Sequence, residues 1–106
     1  MNNNAIVQKL VQYTDKVCSY CEGLDYPAFQ ADSMLVEACV FNLSQMGELV
    51  AKLDENFTDR HTDIPWRAIR GLRNRIVHDY EGVNLKLVWD IIQSDLPELR
   101  TQLVNL

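Results

Sequence analysis

The chain contains little that would place it in a membrane or in an oxidising compartment. No apolar run approaches the ~20 residues that a membrane span requires. The first residues, Met1 to Asn4, lack the basic start and the apolar stretch of a signal peptide. The three cysteines are an odd number, which argues against a disulfide framework. We therefore expect a cytoplasmic protein that does not contact a membrane.

The sequence also lacks the usual signatures of metal and cofactor sites. Cys18 and Cys21 form a single Cys-x-x-Cys, with no second pair to complete a zinc site. Reduced thiols within a helix are the favoured interpretation, and a metal or redox role is the alternative. No glycine-rich phosphate loop, Ser/His/Asp set or pair of catalytic carboxylates is visible. We expect no metal and no cofactor.

The chain does contain apolar residues at helical spacing along nearly all of its 106 residues. This length suits one domain spanning residues 1–106. No segment alternates apolar and polar residues for long enough to predict a strand. The pattern predicts an all-α, four- to five-helix up-and-down bundle. The predicted elements are a helix over 4–22, a helix beginning near Pro27 or Asp32-Ser33 and ending at Leu53, a polar loop over 54–63, a helix from Pro65 to about Asp79, a helix capped by Asn84, and a short helix from Pro97 with Asp95 as its cap.

The second predicted helix is apolar around roughly half of its circumference. A helix with so wide an apolar sector must face more than one neighbour, which in a small protein favours a homodimer. Gly47 within this helix suggests close packing against another helix. We expect Trp66 and Trp89 to lie in the core and His61 to be solvated.

The formal net charge is −5, but the positive charges are concentrated. Five of the six arginines fall between Arg60 and Arg75, and residues 64–78 contain no acid. A local basic surface on an acidic protein could bind phosphate groups. The alternative is that these arginines pair with acids elsewhere. The candidates for such pairing are Glu37, Glu48 and Asp90.

The most informative segment is the octapeptide from Arg73 to Tyr80. At roughly 100° per residue, a continuous helix would place Asn74 and His78 on one face, with Arg67 and Arg70 on the same flank. Arg73 would instead project into an apolar sector. Its guanidinium would then either pair with a carboxylate of a neighbouring helix or line a cleft that binds phosphate.

In this octapeptide, four residues separate Arg73 from His78, and one residue separates His78 from Tyr80. The spacing resembles the Arg-x-x-x-x-His-x-Tyr signature of HepT-type toxins of the HEPN superfamily. These are small all-helical proteins of prokaryotic toxin–antitoxin pairs. The surrounding sequence extends the resemblance to nearly the whole chain. The matching segments are Met46-Gly47-Glu48, Ile64-Pro65-Trp66-Arg67, Gly71-Leu72-Arg73-Asn74-Arg75, Val83-Asn84-Leu85, Val88-Trp89-Asp90-Ile91-Ile92 and Asp95-Leu96-Pro97-Glu98-Leu99.

The resemblance implies a metal-independent ribonuclease in which two subunits line one shared cleft. Arg73 and His78 match the catalytic pair of the family. Asn74, Arg70 and Arg75 are candidates for supporting phosphate contacts. Arg73 and His78 would lie about 140° apart on a straight helix. That separation gives a further reason to expect an arginine of one chain to meet a histidine of the other.

Tyr80 matches the tyrosine to which, in the family, a minimal nucleotidyltransferase antitoxin attaches AMP. Packing of its ring at a helix end is the structural alternative. Two other functions remain open on the sequence alone. The chain could be a non-catalytic HEPN subunit that binds nucleotide or RNA and accompanies the transferase, or a helical dimerisation module whose arginines only form ion pairs.

Overall fold

The computed structural model describes residues 1–78 and 82–106, with His78 described by its backbone. Helices dominate these residues, as the sequence predicts. The elements are α1 (Asn3–Tyr20), α2 (Tyr26–Ala31), α3 (Ser33–Val50), α4 (Glu55–Arg60), α5 (Trp66–Arg70), α6 (Leu72–Ile76), β1 (Val77–His78), β2 (Gly82–Val83), α7 (Leu85–Asp90), a π-helical turn (Ile91–Asp95) and α8 (Leu96–Val104).

The two longest helices begin at side-chain caps. The Asn2 side chain accepts a hydrogen bond from the Ala5 N–H at the start of α1, and the Asp32 side chain accepts one from the Leu35 N–H at the start of α3. These caps satisfy backbone donors that a helix start leaves free. The sequence-based bounds for both helices are confirmed to within a few residues, except that α2 precedes α3 as a separate short helix.

The expectation of a polar loop over residues 54–63 is wrong, because α4 lies within it. The Asp54 carbonyl accepts from the backbone N–H groups of Phe57 and Thr58, and the Thr58 hydroxyl donates to the Glu55 carbonyl. Phe57 is half-buried and its ring packs at a tilt against the ring of His61, with 4.7 Å between ring centroids. One apolar residue in so short a helix produces no periodicity that a sequence could reveal.

The C-terminal segment is also more continuous than predicted. The helical backbone runs from α7 through the π-helical turn into α8, and Asp95 makes no side-chain cap. Pro97 has no N–H and its ring crowds the carbonyl four residues earlier. A wider turn immediately before it, closed by the Leu96 N–H on the Ile91 carbonyl, accommodates the proline without ending the helix.

These helices enclose one core in which α1 packs against α3 and α8, and α3 packs against α5 and α6. Trp66 and Trp89 are both buried, as expected. The buried Asn42 satisfies its side-chain N–H by donating to the Ala38 carbonyl. Among the described residues, no helix is both long enough and apolar enough to span a membrane.

Close packing at Gly47 joins α3 to α5. A Cβ atom at this position would lie 3.0 Å from the carbonyl oxygens of both Ile69 and Arg70. Glycine therefore permits a backbone-to-backbone approach that no other residue allows without displacement. The expectation of tight helix packing at Gly47 is confirmed.

We predict that Gly47→Ala lowers the free energy of unfolding by about 1–3 kcal/mol, because rigid backbone atoms must move away from the added methyl group. Urea denaturation followed by circular dichroism measures this change. Gly71→Ala is the matched control, since its Cβ would meet the Arg67 carbonyl at an ordinary 3.5 Å. Equal stability of the two variants would contradict the packing argument.

Candidate functional site

The arginine-rich segment does not form the single helix that the sequence predicts. The helix is interrupted at Gly71, whose N–H bonds to the carbonyls of Arg67 and Ile69. It then ends at Ile76, three residues before the expected end near Asp79. Val77 has extended backbone angles (φ −112°, ψ 121°) and begins β1. The change to a strand places His78 beyond the helix.

A two-residue antiparallel ladder holds the chain at this junction. Val77 pairs with Val83 and His78 pairs with Gly82. The Asn84 N–H donates to the Ile76 carbonyl at 2.7 Å. Gly82 has a φ of +76°, a conformation that favours glycine. The strands were missed because two residues are too few to produce an alternating pattern.

Two geometric expectations therefore do not apply. Asn74 and His78 do not share a helix face, because His78 lies in β1. The angle of about 140° between Arg73 and His78 assumed a straight helix, so it no longer argues for a site shared between two subunits. Homodimer formation remains a prediction that rests on other grounds.

Arg73 is exposed and does not project into the apolar sector. The expected projection is wrong because the interruption at Gly71 breaks the continuous rotation of 100° per residue on which it depended. The Arg73 Nη1 donates to the neighbouring Asn74 Oδ1 at 3.4 Å, a long hydrogen bond between two surface side chains. Asn74 therefore contacts Arg73, in addition to being a candidate for a supporting phosphate contact.

The arginines of this segment are surface residues. Arg67, Arg70, Arg73 and Arg75 are all exposed. Within residues 1–78 and 82–106, ion pairs closer than 4 Å join Lys86 to Asp90 and Arg100 to Asp15, and neither involves residues 64–78.

The ion-pair alternative therefore gains no support from the acids that the sequence suggested. Asp90 pairs with Lys86, whereas Glu37 and Glu48 are exposed without a described ion pair. An exposed guanidinium with no described carboxylate within 4 Å keeps its planar donors available for an anion such as phosphate.

Arg75 differs from the other three in its surroundings. It lines a cavity of about 410 Å³ between the α5–α6 segment and the C-terminal helices. Asp63, Asp95 and Glu98 line the same cavity. These carboxylates come from distant parts of the chain, so sequence reasoning could not associate them with Arg75. Their presence makes this arginine less suited to phosphate binding than the sequence suggested.

The sequence matches a known protein family across most of its length. The sequence model described as "Ribonuclease HepT-like" matches residues 10–106. The chain belongs to the HepT-like ribonuclease family. The resemblance of this chain to the HepT-type family is confirmed.

Relatives of this HepT-like chain share most of their length with it. A protein of Caldanaerobacter subterraneus subsp. tengcongensis named "Putative RNase" is 31% identical over 91% of this chain and 86% of its own. A "Putative RNase" of Methanocaldococcus jannaschii is 26% identical over 92% of this chain and 90% of its own. A "Probable ribonuclease HepT" of Thermococcus cleftensis is 24% identical over 89% and 79%. No solved structure matches the chain significantly.

The described contact between cysteines in this HepT-like chain does not join the two cysteines of the Cys-x-x-Cys segment but lies between α3 and the end of α1. The Cys21 Sγ lies 3.7 Å from the Cys39 Sγ, and both side chains are buried. Burial raises the pKa of all three thiols, most strongly that of Cys39. They therefore stay protonated near neutral pH, whereas metal ligands and nucleophiles require the thiolate.

Two further residues named in the sequence analysis are Tyr80 and His61. Tyr80 lies outside the described residues, so the structure does not test its assignment. His61 is half-buried rather than solvated. Its carbonyl accepts a hydrogen bond of 2.9 Å from the Trp66 indole N–H, which ties the end of α4 to the start of α5.

Proposed function

We propose that this chain is a metal-independent endoribonuclease toxin of a toxin–antitoxin pair and that it acts as a homodimer. The supporting observation is the exposed arginine cluster on α5 and α6, immediately before His78, in a chain of the HepT-like ribonuclease family. A surface that concentrates guanidinium groups on an otherwise acidic protein suits the phosphodiester backbone of RNA.

The reaction needs no metal, because RNA carries its own nucleophile. The 2′-oxygen attacks the adjacent phosphorus and loses its proton, and the bond from phosphorus to the 5′-oxygen breaks. The products are a 2′,3′-cyclic phosphate and a 5′-hydroxyl group, which receives a proton. The protein must therefore transfer protons and stabilise the negative charge on the phosphate oxygens.

In this proposal His78 transfers the protons, since an imidazole titrates near neutral pH. Arg73 binds the non-bridging phosphate oxygens through its planar guanidinium, which remains charged at any working pH. Asn74 orients Arg73 through the hydrogen bond between their side chains. Arg70 provides a supporting phosphate contact from α5, and Arg75 is the weakest candidate of the group.

We predict that the purified protein cleaves single-stranded RNA with divalent metals chelated. His78→Ala should lower kcat by about 10²–10⁴-fold, and Arg73→Ala should lower it by about 10²–10³-fold, because charge stabilisation in the transition state is lost. Gel analysis of cleavage products measures both effects. Arg60→Ala, an exposed arginine of α4, is the control and should retain full activity.

If the wild-type dimer binds RNA but cleaves none, the enzymatic proposal fails. The chain would then be a non-catalytic HEPN subunit that accompanies a nucleotidyltransferase. If Arg73→Ala loses stability instead of activity, the arginine has a structural role.

The homodimer part of the proposal is supported by an apolar surface shared by α1 and α3. Phe41 is 60% exposed and Met34 is 80% exposed on α3, and Tyr20 of α1 lies beside them. Lys16 and Glu37 line the same surface. Around a twofold axis, each Lys16 could face the Glu37 of the other copy, so the surface is complementary to itself.

We predict that Phe41→Glu converts the dimer to a monomer without unfolding it, because each copy would bury an unpaired carboxylate in an apolar interface. Sedimentation velocity measures the change. Leu24→Glu introduces the same charge at an exposed apolar residue outside this surface and should leave the dimer intact. A dimer that persists in the Phe41 variant would show that the subunits associate elsewhere.

The proposal includes control by an antitoxin that is a minimal nucleotidyltransferase. The Tyr80 phenolic oxygen would attack the α-phosphorus of ATP, lose its proton and displace pyrophosphate. The attached adenylate would add negative charge and bulk close in sequence to Arg73 and His78. A phosphate in that position would compete with the RNA backbone for the basic surface.

We predict that incubation with the cognate transferase and ATP adds the mass of one or more AMP groups to the wild-type chain, as measured by intact mass spectrometry. Modification should abolish RNA cleavage. Tyr80→Phe preserves the aromatic ring but lacks the acceptor oxygen, so this variant should stay unmodified. Added transferase should not reduce its cleavage of RNA. Equal labelling of both chains would exclude Tyr80 as the acceptor.

A further inference from the structure

We propose that Arg67 and Arg70 continue the phosphate-binding surface from Arg73 along α5, so that the protein binds a stretch of RNA backbone and not the scissile phosphate alone. We call these three residues the arginine track. This inference rests on the proposed ribonuclease function. It assigns a role to Arg67, which the family motif does not include, and it identifies the ligand as an extended stretch of RNA backbone.

The first support is the placement of the side chains. Trp66 and Ile69 are buried and fix which side of α5 faces the core. Arg67 and Arg70 are exposed and three residues apart, so they are neighbours on the helix surface. Along α5, which rises about 1.5 Å per residue, Arg67 lies roughly 4.5 Å from Arg70 in the direction of the helix axis. Arg73 lies on α6, beyond the interruption at Gly71. The track therefore extends beyond the reach of one phosphate group.

The second support is the rigidity of the backbone that carries the track. Gly47 allows α3 to contact the carbonyls of Ile69 and Arg70 directly. The Trp66 indole bonds to the His61 carbonyl at the other end of α5. Side chains on an element held at both ends lose less freedom when they bind a ligand than side chains on a loop do.

The third support is electrostatic. Like charges three or four residues apart on a helix repel each other and destabilise it. No described acid lies within 4 Å of the track, and the two described ion pairs, Lys86 with Asp90 and Arg100 with Asp15, lie outside it. A polyanion removes this repulsion at several positions at once. The backbone of RNA is such a polyanion, and its phosphates carry no sequence information, so binding by the track should depend little on base sequence.

Arg67 should act on binding and not on the chemical step. The phosphates it contacts do not gain charge during the reaction, so they are bound equally in the ground state and the transition state. Loss of such an interaction raises KM and leaves kcat unchanged. Arg73, which we place at the scissile phosphate, should show the opposite pattern.

The test is salt-dependent binding of a fluorescent 2′-O-methyl oligonucleotide, which cannot be cleaved because its 2′-oxygen is blocked. Fluorescence anisotropy would give Kd for wild type, Arg67→Ala and Arg60→Ala between about 50 and 200 mM salt. Each lost phosphate contact should reduce the slope of log K against log salt by about 0.7 for a single strand. We expect that reduction, with weaker binding, for Arg67→Ala only.

An unchanged slope and affinity for Arg67→Ala would overturn the inference, as would an equal change for Arg60→Ala, which would indicate a general charge effect. Absence of wild-type binding would overturn it too. Binding that depends on Arg67 in a protein that cleaves no RNA would leave the inference standing and overturn the enzymatic proposal. In an active protein, a fall in kcat without a rise in KM for Arg67→Ala would place this residue in the chemistry and contradict the track.

Discussion

The contact between Gly47 and the backbone of α5 is the constraint on which the site depends. Because the Cβ position of residue 47 lies 3.0 Å from the carbonyl oxygens of Ile69 and Arg70, α3 and α5 meet backbone to backbone. This contact sets the distance and the rotation of α5 against the core. With Trp66 and Ile69 buried on one side, the arginines of α5 must lie on the other. A packing contact thus determines where positive charge reaches the surface.

The helical class, the long helices and the Asn84 cap could be predicted from the sequence because each repeats or follows a local rule. Apolar spacing identifies α1 and α3, and the Asn84 side chain accepts from the Leu87 N–H as a cap should. Features without periodicity were missed. The helix α4 has one half-buried apolar residue, Phe57. The strands β1 and β2 have two residues each, which is too short for any pattern.

The candidate site was harder to predict than the fold, because its geometry depends on where the helix stops. The composition and order of the arginines identified the basic surface. The structure differs from the prediction because the helix is interrupted at Gly71 and α6 ends at Ile76. As a result, Arg73 is exposed and His78 lies in a strand. A glycine is tolerated inside a helix at a modest cost, so its presence alone does not fix a break. The carboxylates near Arg75 come from other elements and only tertiary structure assembles them.

An NMR titration of the ¹⁵N-labelled protein with the cleavage-resistant oligonucleotide would locate bound RNA without relying on activity. If RNA binds the arginines of α5 and α6, the largest shift changes fall on the amides of residues 66–78 and on the Nε groups of Arg67, Arg70 and Arg73. Changes centred on the cavity beside Arg75 or on the surface of Phe41, with residues 66–78 unaffected, would contradict binding at these arginines. Either result would show whether the basic surface held by Gly47 is where this chain meets RNA.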